Sequence, residues 1–426
     1  MAEKIVFHID VNSAFLSWES VRRVKRGESD LREIPAAVGG DRKKRHGVIL
    51  AKSIPAKRYG IHTGESIMEA LKKCPQLYLV PPDFGLYSVC SRAFITILKE
   101  YSPVVEQVSI DEAFVDMTGM EKLFGPPIEV AEKIKDRIFE ELGFTVNVGI
   151  STNKLLAKMA SDFEKPGKVH TLYPEEIAKK MWPLPVGELY SVGRSTVKQL
   201  YLLGIRTIGD LAKADPELLK RHLKKHGELI WNFANGRDVS IVEEETAPNK
   251  GYGNSTTIAF DVTDESVAKM VLLSLTETVA SRLRQAGVKA ESVSVSIRDA
   301  DFHNSSHQML LMRPTDITYD IYEAVCQLFD ELWDGEPIRL LGVSTGRLVE
   351  KDAPEQLSFF DEDLQKKEEK LKKLDAAIDT IRSRYGVDAV KRAAFVKAPV
   401  DHVAGKHLRA QEGGTKILKS TSKGDD

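Results

Sequence analysis

Ser109-Ile110-Asp111-Glu112-Ala113-Phe114 sets two carboxylates side by side between β-prone segments at 104–108 and 113–117. A strand alternates its side chains between faces, so neighbouring acids converge on one ion only where the chain bends. The pair is therefore expected at a turn between two strands. A third acid closes the apolar opening strand Ile5-Val6-Phe7-His8-Ile9-Asp10. Three hard oxygen ligands, with coordination positions left for phosphate and water, suit Mg²⁺, which binds through a few carboxylates plus substrate phosphates. Asp10, Asp111 and Glu112 are thus candidate catalytic residues for metal-assisted phosphoryl transfer. An isolated Asp-Glu pair is more often a solvated turn, so the surrounding sequence decides.

Working outward, 13–25 reads as a helix, 86–101 as a helix leading into the acidic hairpin, and 128–141 as an amphipathic helix. Phe144 to Ile150 alternates like a strand, after which Ser151 or Thr152 is placed to cap a helix carrying Lys154 and Lys158 one turn apart. Strands alternating with helices, with acids at strand ends, describe an α/β or α+β catalytic domain. From 174 to about 241 the pattern changes to short helices with glycine punctuation, including Ser191-Val192-Gly193-Arg194. That turn has the form of a helix-hairpin-helix, in which backbone N–H groups face a phosphate without reading bases. The polar run 243–250 suits a linker. Strands near 255–260, 292–297, 309–312 and 338–348, with helices near 267–286 and 316–333, compose a further α+β unit. The charge-dense 361–384 is expected as an exposed helix, and 398–426, rich in Gly, Ser, Thr and Lys, as a disordered tail.

At 426 residues and 42% hydrophobic content, the chain is long enough for about three domains. No run of eighteen apolar residues occurs, and Met1-Ala2-Glu3-Lys4 leads straight into strand-like sequence, so the expectation is a cytoplasmic protein with no membrane partner. Cys74, Cys90 and Cys326 are far apart and odd in number, which argues for buried thiols over disulfides or zinc. A net charge of −2 gives no global sign of nucleic acid. Local basic clusters do, at Arg42, Lys43, Lys44, Arg45, Lys52, Lys57 and Arg58, and at Lys154, Lys158, Lys165 and Lys168.

The segment His8-Ile9-Asp10-Val11-Asn12-Ser13-Ala14-Phe15, the acidic hairpin, and Val148-Gly149-Ile150-Ser151-Thr152-Asn153-Lys154 through Lys165-Pro166-Gly167 together resemble the Y-family DNA polymerases, translesion enzymes of the polymerase IV and polymerase V kind. The likeness runs in order from about residue 4 to 360, and three motifs at compatible spacings are far more specific than one. It implies a multidomain α+β right hand: palm 1–15 and 76–170, fingers 16–75, helix-hairpin-helix thumb 171–241, linker 242–250, α+β little finger 251–348, a clamp peptide at 355–360, and a charged helix and tail over 361–426. It implies error-prone synthesis on a primed DNA template from deoxynucleoside triphosphates, past damaged bases, by a monomer without proofreading. Two Mg²⁺ ions per active site are implied, with Asp10 and Asp111 bridging both, Glu112 on the hydroxyl-activating ion and the Val11 carbonyl on the triphosphate-side ion.

The same resemblance puts Ser13, Ala14, Phe15, Lys57 and Lys165 at the nucleotide. Phe15 takes the place of the family's sugar-selecting ring, which leaves no room for a 2′-hydroxyl. Lys158, Val192, Gly193 and Arg194 fall at DNA-binding positions. Gln356, Leu357, Ser358, Phe359 and Phe360 resemble the family's peptide for a bacterial-type sliding clamp, in which apolar side chains anchor in a groove while Gln sets the register. The chain departs from the pattern at Ile54 and Lys57, where a Tyr and an Arg are usual, and at Ala14, where an aromatic is common. Lys57 replaces a planar bidentate donor with a point charge. A nucleotidyl cyclase with a palm, and a catalytically silent DNA- and clamp-binding subunit, are the rival functions. The first has no use for a thumb or clamp peptide, and the second would not need to keep all three acids.

Overall fold

Both faces of the opening strand, β1 (Val6–Val11), are largely buried, one apolar through Phe7, Ile9 and Val11 and the other carrying Val6, His8 and Asp10, as befits a strand in the middle of a covered sheet. The computed structural model describes residues 4–40, 47–244, 248–353 and 362–395, with side chains described outside 362–366. The expected clamp peptide at 355–360, the basic run 42–45 and the expected tail at 398–426 lie outside the described residues. The described chain divides into two units, one holding 4–39 and 49–244, the other 40, 47–48, 248–353 and 362–395.

In the first unit β1 is followed by α1 (Ala14–Val24), β2 (Ala36–Gly39), β3 (Ile49–Lys52), α2 (Ile54–Lys57), α3 (Ile67–Lys73), β4 (Tyr78–Val80), α4 (Phe84–Lys99), β5 (Val105–Gln107), β6 (Glu112–Asp116), α5 (Glu121–Phe124), α6 (Pro127–Leu142), β7 (Val146–Ser151), α7 (Lys154–Ser161) and β8 (Val169–Thr171). A five-stranded sheet runs β5-β6-β1-β7-β8, antiparallel except for β7 with β8. Phe7, Ile9 and Val11 on one face of β1 join the core formed with Tyr87, Phe94 and Ile97 of α4 and Val130, Ile134 and Ile138 of α6. On the other face Val6 packs with Phe114 and with Ala157 of α7.

A smaller sheet, β3-β2-β4, pairs β2 with β4 in parallel. It corrects the expected close of this module at residue 75, because its third strand is Tyr78–Val80. The cap of α7 is also corrected. Ser151 still belongs to β7 and spends its hydroxyl on Leu172 O at 2.5 Å, while the Asn153 side chain accepts the Leu156 N–H at 2.9 Å.

The helices α8 (Ile177–Lys180), α9 (Arg194–Leu202), α10 (Ile208–Lys213), α11 (Pro216–Leu223) and α12 (Lys225–Ala234) share one core with Leu155, Leu156 and Met159 of α7. So α7 is wedged between the sheet and the helical module. The chain leaving α12 returns to the sheet: Val242 packs on Val6, Phe114 and Ala157, and the Glu243 N–H donates to Glu106, which also pairs with Lys154 at 2.6 Å. Residues 242 and 243, expected as the start of a linker, are therefore anchored.

In the second unit β9 (Gly251–Val262), α13 (Glu265–Ala286), β10 (Val288–Asp299), β11 (Asn304–Thr315), α14 (Thr318–Leu332) and β12 (Ile338–Glu350) form an antiparallel sheet ordered β11-β10-β12-β9, with a core shared by Leu272, Leu275, Val293, Val295, Phe329 and Val343. The helix α15 (Glu362–Tyr385) is largely exposed where its side chains are described, as its charge suggested, but it is anchored at one buried position. Its Asp375 is 4% exposed, accepts the Thr318 N–H at 2.8 Å and pairs with Arg284. It thereby supplies the start of α14 with the acceptor that Ile317, the residue at the cap, lacks. Glu277, also buried, pairs with Arg382 and Arg392.

Gly149 marks the closest approach of α7 to the sheet. A Cβ there would stand 2.0 Å from Ala157 O and 2.4 Å from Ser161 N, both backbone atoms that cannot swing aside. Gly149→Ala is expected to destabilise this unit by about 3 kcal/mol, at the upper end for overpacking. Urea unfolding checks it, and an unchanged midpoint would show that α7 is free to move off the sheet.

Candidate active site

The β1–β6 register puts Asp10 directly opposite Glu112. Directly paired residues on antiparallel strands have Cβ atoms roughly 5 Å apart on one face, so like charges there repel unless compensated. Asp111 sits in the bend just before β6. The bend is closed by Val108 and Ser109 N–H groups donating to Glu112 O, and by the Ser109 hydroxyl donating to Asp111 Oδ1 at 2.6 Å. The Asp111 carbonyl accepts the Val11 N–H at 2.9 Å, which joins the turn to the end of β1.

Cations compensate the acids. Lys165 pairs with Asp10 and with Asp162, and Lys158 donates to Glu112 Oε2 at 2.6 Å. His8, on the same face of β1 and 1% exposed, places Nε2 3.2 Å from Glu112 and Nδ1 2.7 Å from Ser161 Oγ. Burial pushes the Asp10 carboxyl up while Lys165 pulls it back. His8 and Lys158 hold Glu112 well below the usual carboxylate range, to about 2, against its partial burial. Burial lowers the pKa of His8 itself. Burial also opposes the charge of Lys165, but Asp10 and Asp162 outweigh it and raise its pKa.

A cleft of about 250 Å³ opens beside these residues, lined by Asp10, Val11, Ser13, Ala14, Phe15 and Asp111 together with Leu50, Ala51, Lys52 and Thr63. The Asp10–Asp111 side of the expected site thus meets Phe15 in one cavity. Glu112 faces His8 and Lys158 instead, while Lys165 reaches the acids from the loop after α7. Lys57 is exposed on α2, and the basic residue in the cleft wall is Lys52, whose ammonium donates to Thr63 at 3.2 Å. Burial and the nearby Lys57 lower the pKa of Lys52.

Two residues that sequence reasoning passed over hold the site together. Asn147 on β7, opposite Asp10 and fully buried, donates to Ser161 O at 3.0 Å and Glu164 O at 2.7 Å, and accepts from Asn12 Nδ2 and the Lys168 N–H. Asn12 in turn accepts the Gly167 N–H at 2.9 Å. This pair fixes the loop that carries Lys165. A polar residue within an otherwise apolar strand was the available signal.

Farther away, Val192 is buried in the helical core and its N–H donates to Leu189 O. The rest of that turn, Ser191, Gly193 and Arg194, is at the surface. Lys158, expected at DNA, is engaged with Glu112.

Among the described residues, no three His, Cys, Asp or Glu side chains stand together as a ready metal cage. The carboxylates are turned toward lysine, histidine and serine partners. The donor set nevertheless fits a hard divalent cation: three carboxylates and the Val11 carbonyl, all oxygen, on strands whose backbone is fixed by the sheet.

Paired carboxylates on antiparallel strands, a polar cleft beside them and a small mixed sheet are the features of a palm-type nucleotidyl-transfer fold. Family models place it further. The impB/mucB/samB family matches residues 9–162, its C-terminal domain 249–359, and the IMS family HHH motif 174–205. DNA polymerase IV of Clostridium acetobutylicum is 47% identical over 92% of this chain and 98% of its own. DNA polymerase IV 2 and DNA polymerase IV 1 of Bacillus subtilis are 40% and 37% identical, over 93% and 92% of this chain and 96% and 94% of theirs. A solved Y-family DNA polymerase chimera has the same fold, with a TM-score of 0.70 at 22% identity over 81% of this chain and 99% of its own. The chain belongs to the impB/mucB/samB family of Y-family DNA polymerases. Its mixed α+β architecture, with an HHH motif in the helical module, is consistent with the palm, fingers, thumb and little finger of that family.

Asn147→Ala strips four partners of their bonds, and each buried group left unsatisfied is costly. The expected loss is about 3 kcal/mol of stability, together with a raised nucleotide KM as the Lys165 loop shifts. Denaturation and single-nucleotide kinetics check both, and a KM equal to wild type would separate the loop from the site.

Proposed function

We propose that this chain is a DNA-directed DNA polymerase that extends a primer past damaged template bases, with no proofreading activity of its own. The observation that carries this reading is the pairing of Asp10 with Glu112 across β1 and β6, with Asp111 at the bend and Phe15 in the wall of the adjoining cleft. Asp10, Asp111, Glu112 and the Val11 carbonyl are the metal-holding groups. Two Mg²⁺ ions held by them would supply activation of the primer 3′-hydroxyl and neutralisation of the triphosphate charge. Lys158 and Lys165 now neutralise the carboxylates. In the reaction Lys165, together with Lys52 and Lys57, faces the triphosphate, while Lys158 continues to hold Glu112. Ser13 and Ala14 bring the start of α1 to the nucleotide, and Phe15 excludes a 2′-hydroxyl by contact. Gly193 and Arg194 meet the DNA backbone from the thumb.

We assign the domains as read from the sequence, with the fingers extended through Val80. The protein acts as a monomer in the cytoplasm, and residues 356–360 engage a sliding clamp. Among the described residues no helix is long and apolar enough to cross a membrane. A cyclase is disfavoured by the thumb and little finger, and a silent subunit by the intact acids.

Primer extension across undamaged and lesion-bearing templates, with and without clamp, tests the reading. Asp111→Ala is expected to reduce extension to background while DNA affinity stays within about threefold, since the carboxylate serves the ions and not the duplex. Alanine at Gln356, Phe359 and Phe360 is expected to remove clamp stimulation and spare basal synthesis. Absence of extension by the unaltered protein would overturn the polymerase assignment.

A further inference from the structure

Glu19 is 2% exposed on α1 and stands apart from the metal-binding acids. Its Oε1 accepts the Tyr87 hydroxyl at 3.0 Å, and its Oε2 accepts from Arg22 at 2.5 Å. Arg22 also donates to Asp83 at 2.6 Å, and Asp83 caps α4 through the Leu86 N–H. One polar chain therefore ties α1 to the start of α4, across the place where their rings meet. Tyr87 is fully buried and stacks on Phe15, with centroids 4.5 Å and planes 9° apart. Phe84 meets Phe15 edge-on at 6.1 Å, and Trp18 lies 5.9 Å away.

A wall that rejects one hydroxyl by contact discriminates only as well as it resists being pushed back, and the needed retreat is less than an atom's diameter. Stacked rings slide over one another easily, because the attraction between them is broad and weakly directional. A hydrogen bond from a buried hydroxyl is directional, and leaving that hydroxyl unpaired is costly. The Glu19 carboxylate thus fixes where the Tyr87 ring stands, and Tyr87 fixes how far Phe15 retreats.

We propose that Glu19 is a specificity-determining positioning residue: by accepting the Tyr87 hydroxyl it holds the ring that backs Phe15, and so sets how strongly the cleft rejects a ribonucleotide. This rests on the reading of Phe15 as the sugar-discriminating wall. Arg22 and Asp83 keep the carboxylate in place from the opposite side. Glu19→Gln retains an acceptor for the Tyr87 hydroxyl, whereas Glu19→Leu has similar bulk and none.

The test uses the full chain on a primed template and compares kcat/KM for a deoxynucleotide and the matching ribonucleotide. Phe15→Ala is expected to lose on the order of a hundredfold in discrimination, the scale at which a pocket senses one hydroxyl. Glu19→Leu is expected to lose about tenfold, through improved ribonucleotide use more than weakened deoxynucleotide use, and Glu19→Gln to stay within about threefold of wild type. If Glu19→Leu does not fold, Tyr87→Phe cuts the same tie while keeping the ring, and a loss of several-fold is expected. Wild-type discrimination in Glu19→Leu or Tyr87→Phe, alongside a relaxed Phe15→Ala, would overturn the role of Glu19 and leave that of Phe15 standing. So would an equal fall for both sugars. Unchanged discrimination in Phe15→Ala would overturn the wall itself and the proposal with it.

Discussion

Two carboxylates face each other across β1 and β6, and a third hangs at the bend beside them; the rest of the first unit answers that electrostatic constraint. Asp10 and Glu112 are brought together by strand register, not by flexible loops, so repulsion cannot be relieved by moving apart. Lys165 and Lys158 supply the compensating charge, and the His8 ring stands beside Glu112. Asp10 is held up by burial and Glu112 down by its partners, so the two acids sit in different environments although they are neighbours. Exposed ion pairs contribute little stability, but these hold charged groups at defined positions on a rigid sheet.

That arrangement needs α7 to lie close against the sheet, because α7 carries Lys158 and leads to the Lys165 loop. Gly149 allows the approach, and Asn147 fixes the loop beyond the helix. The same helix serves two cores: Leu155, Leu156 and Met159 belong to the helical module while Ala157 packs on the sheet. The geometry of the acids and the packing of the helical module are thus coupled through one short helix. On the other side of the cleft, α1 carries Phe15 and is tied to α4 by Glu19, Arg22 and Asp83. The cleft therefore sits between two well-braced elements, which suits the proposed roles of the acids and of Phe15, since both require fixed positions.

Much of this was legible in the sequence where the signal was local. β1, the acidic bend and the amphipathic α6 follow from hydrophobic periodicity and residue type within a few positions. Features set by distant partners were not. Tyr78–Val80 becomes a strand by parallel pairing with β2, which three residues do not announce. Ser151, Thr152 and Asn153 are all competent caps, and which one serves depends on where β7 ends. Asp375 looked like one more solvated charge on α15, since its partner Arg284 is 91 positions away in the chain. Asn147 and Lys52 were hidden for a similar reason: a buried amide and a cleft-lining lysine are defined by what surrounds them.

In the function proposed for this chain, Asp10, Asp111 and Glu112 form one divalent-cation centre shared between two ions. Mn²⁺ binding measured by electron paramagnetic resonance, on the full chain with a dideoxy-terminated primer-template and the next deoxynucleotide, tests it directly. Two tightly bound Mn²⁺ per protein are expected, falling below one in Asp10→Ala. A single ion in the unaltered protein, or the same stoichiometry with and without Asp10, would contradict the account.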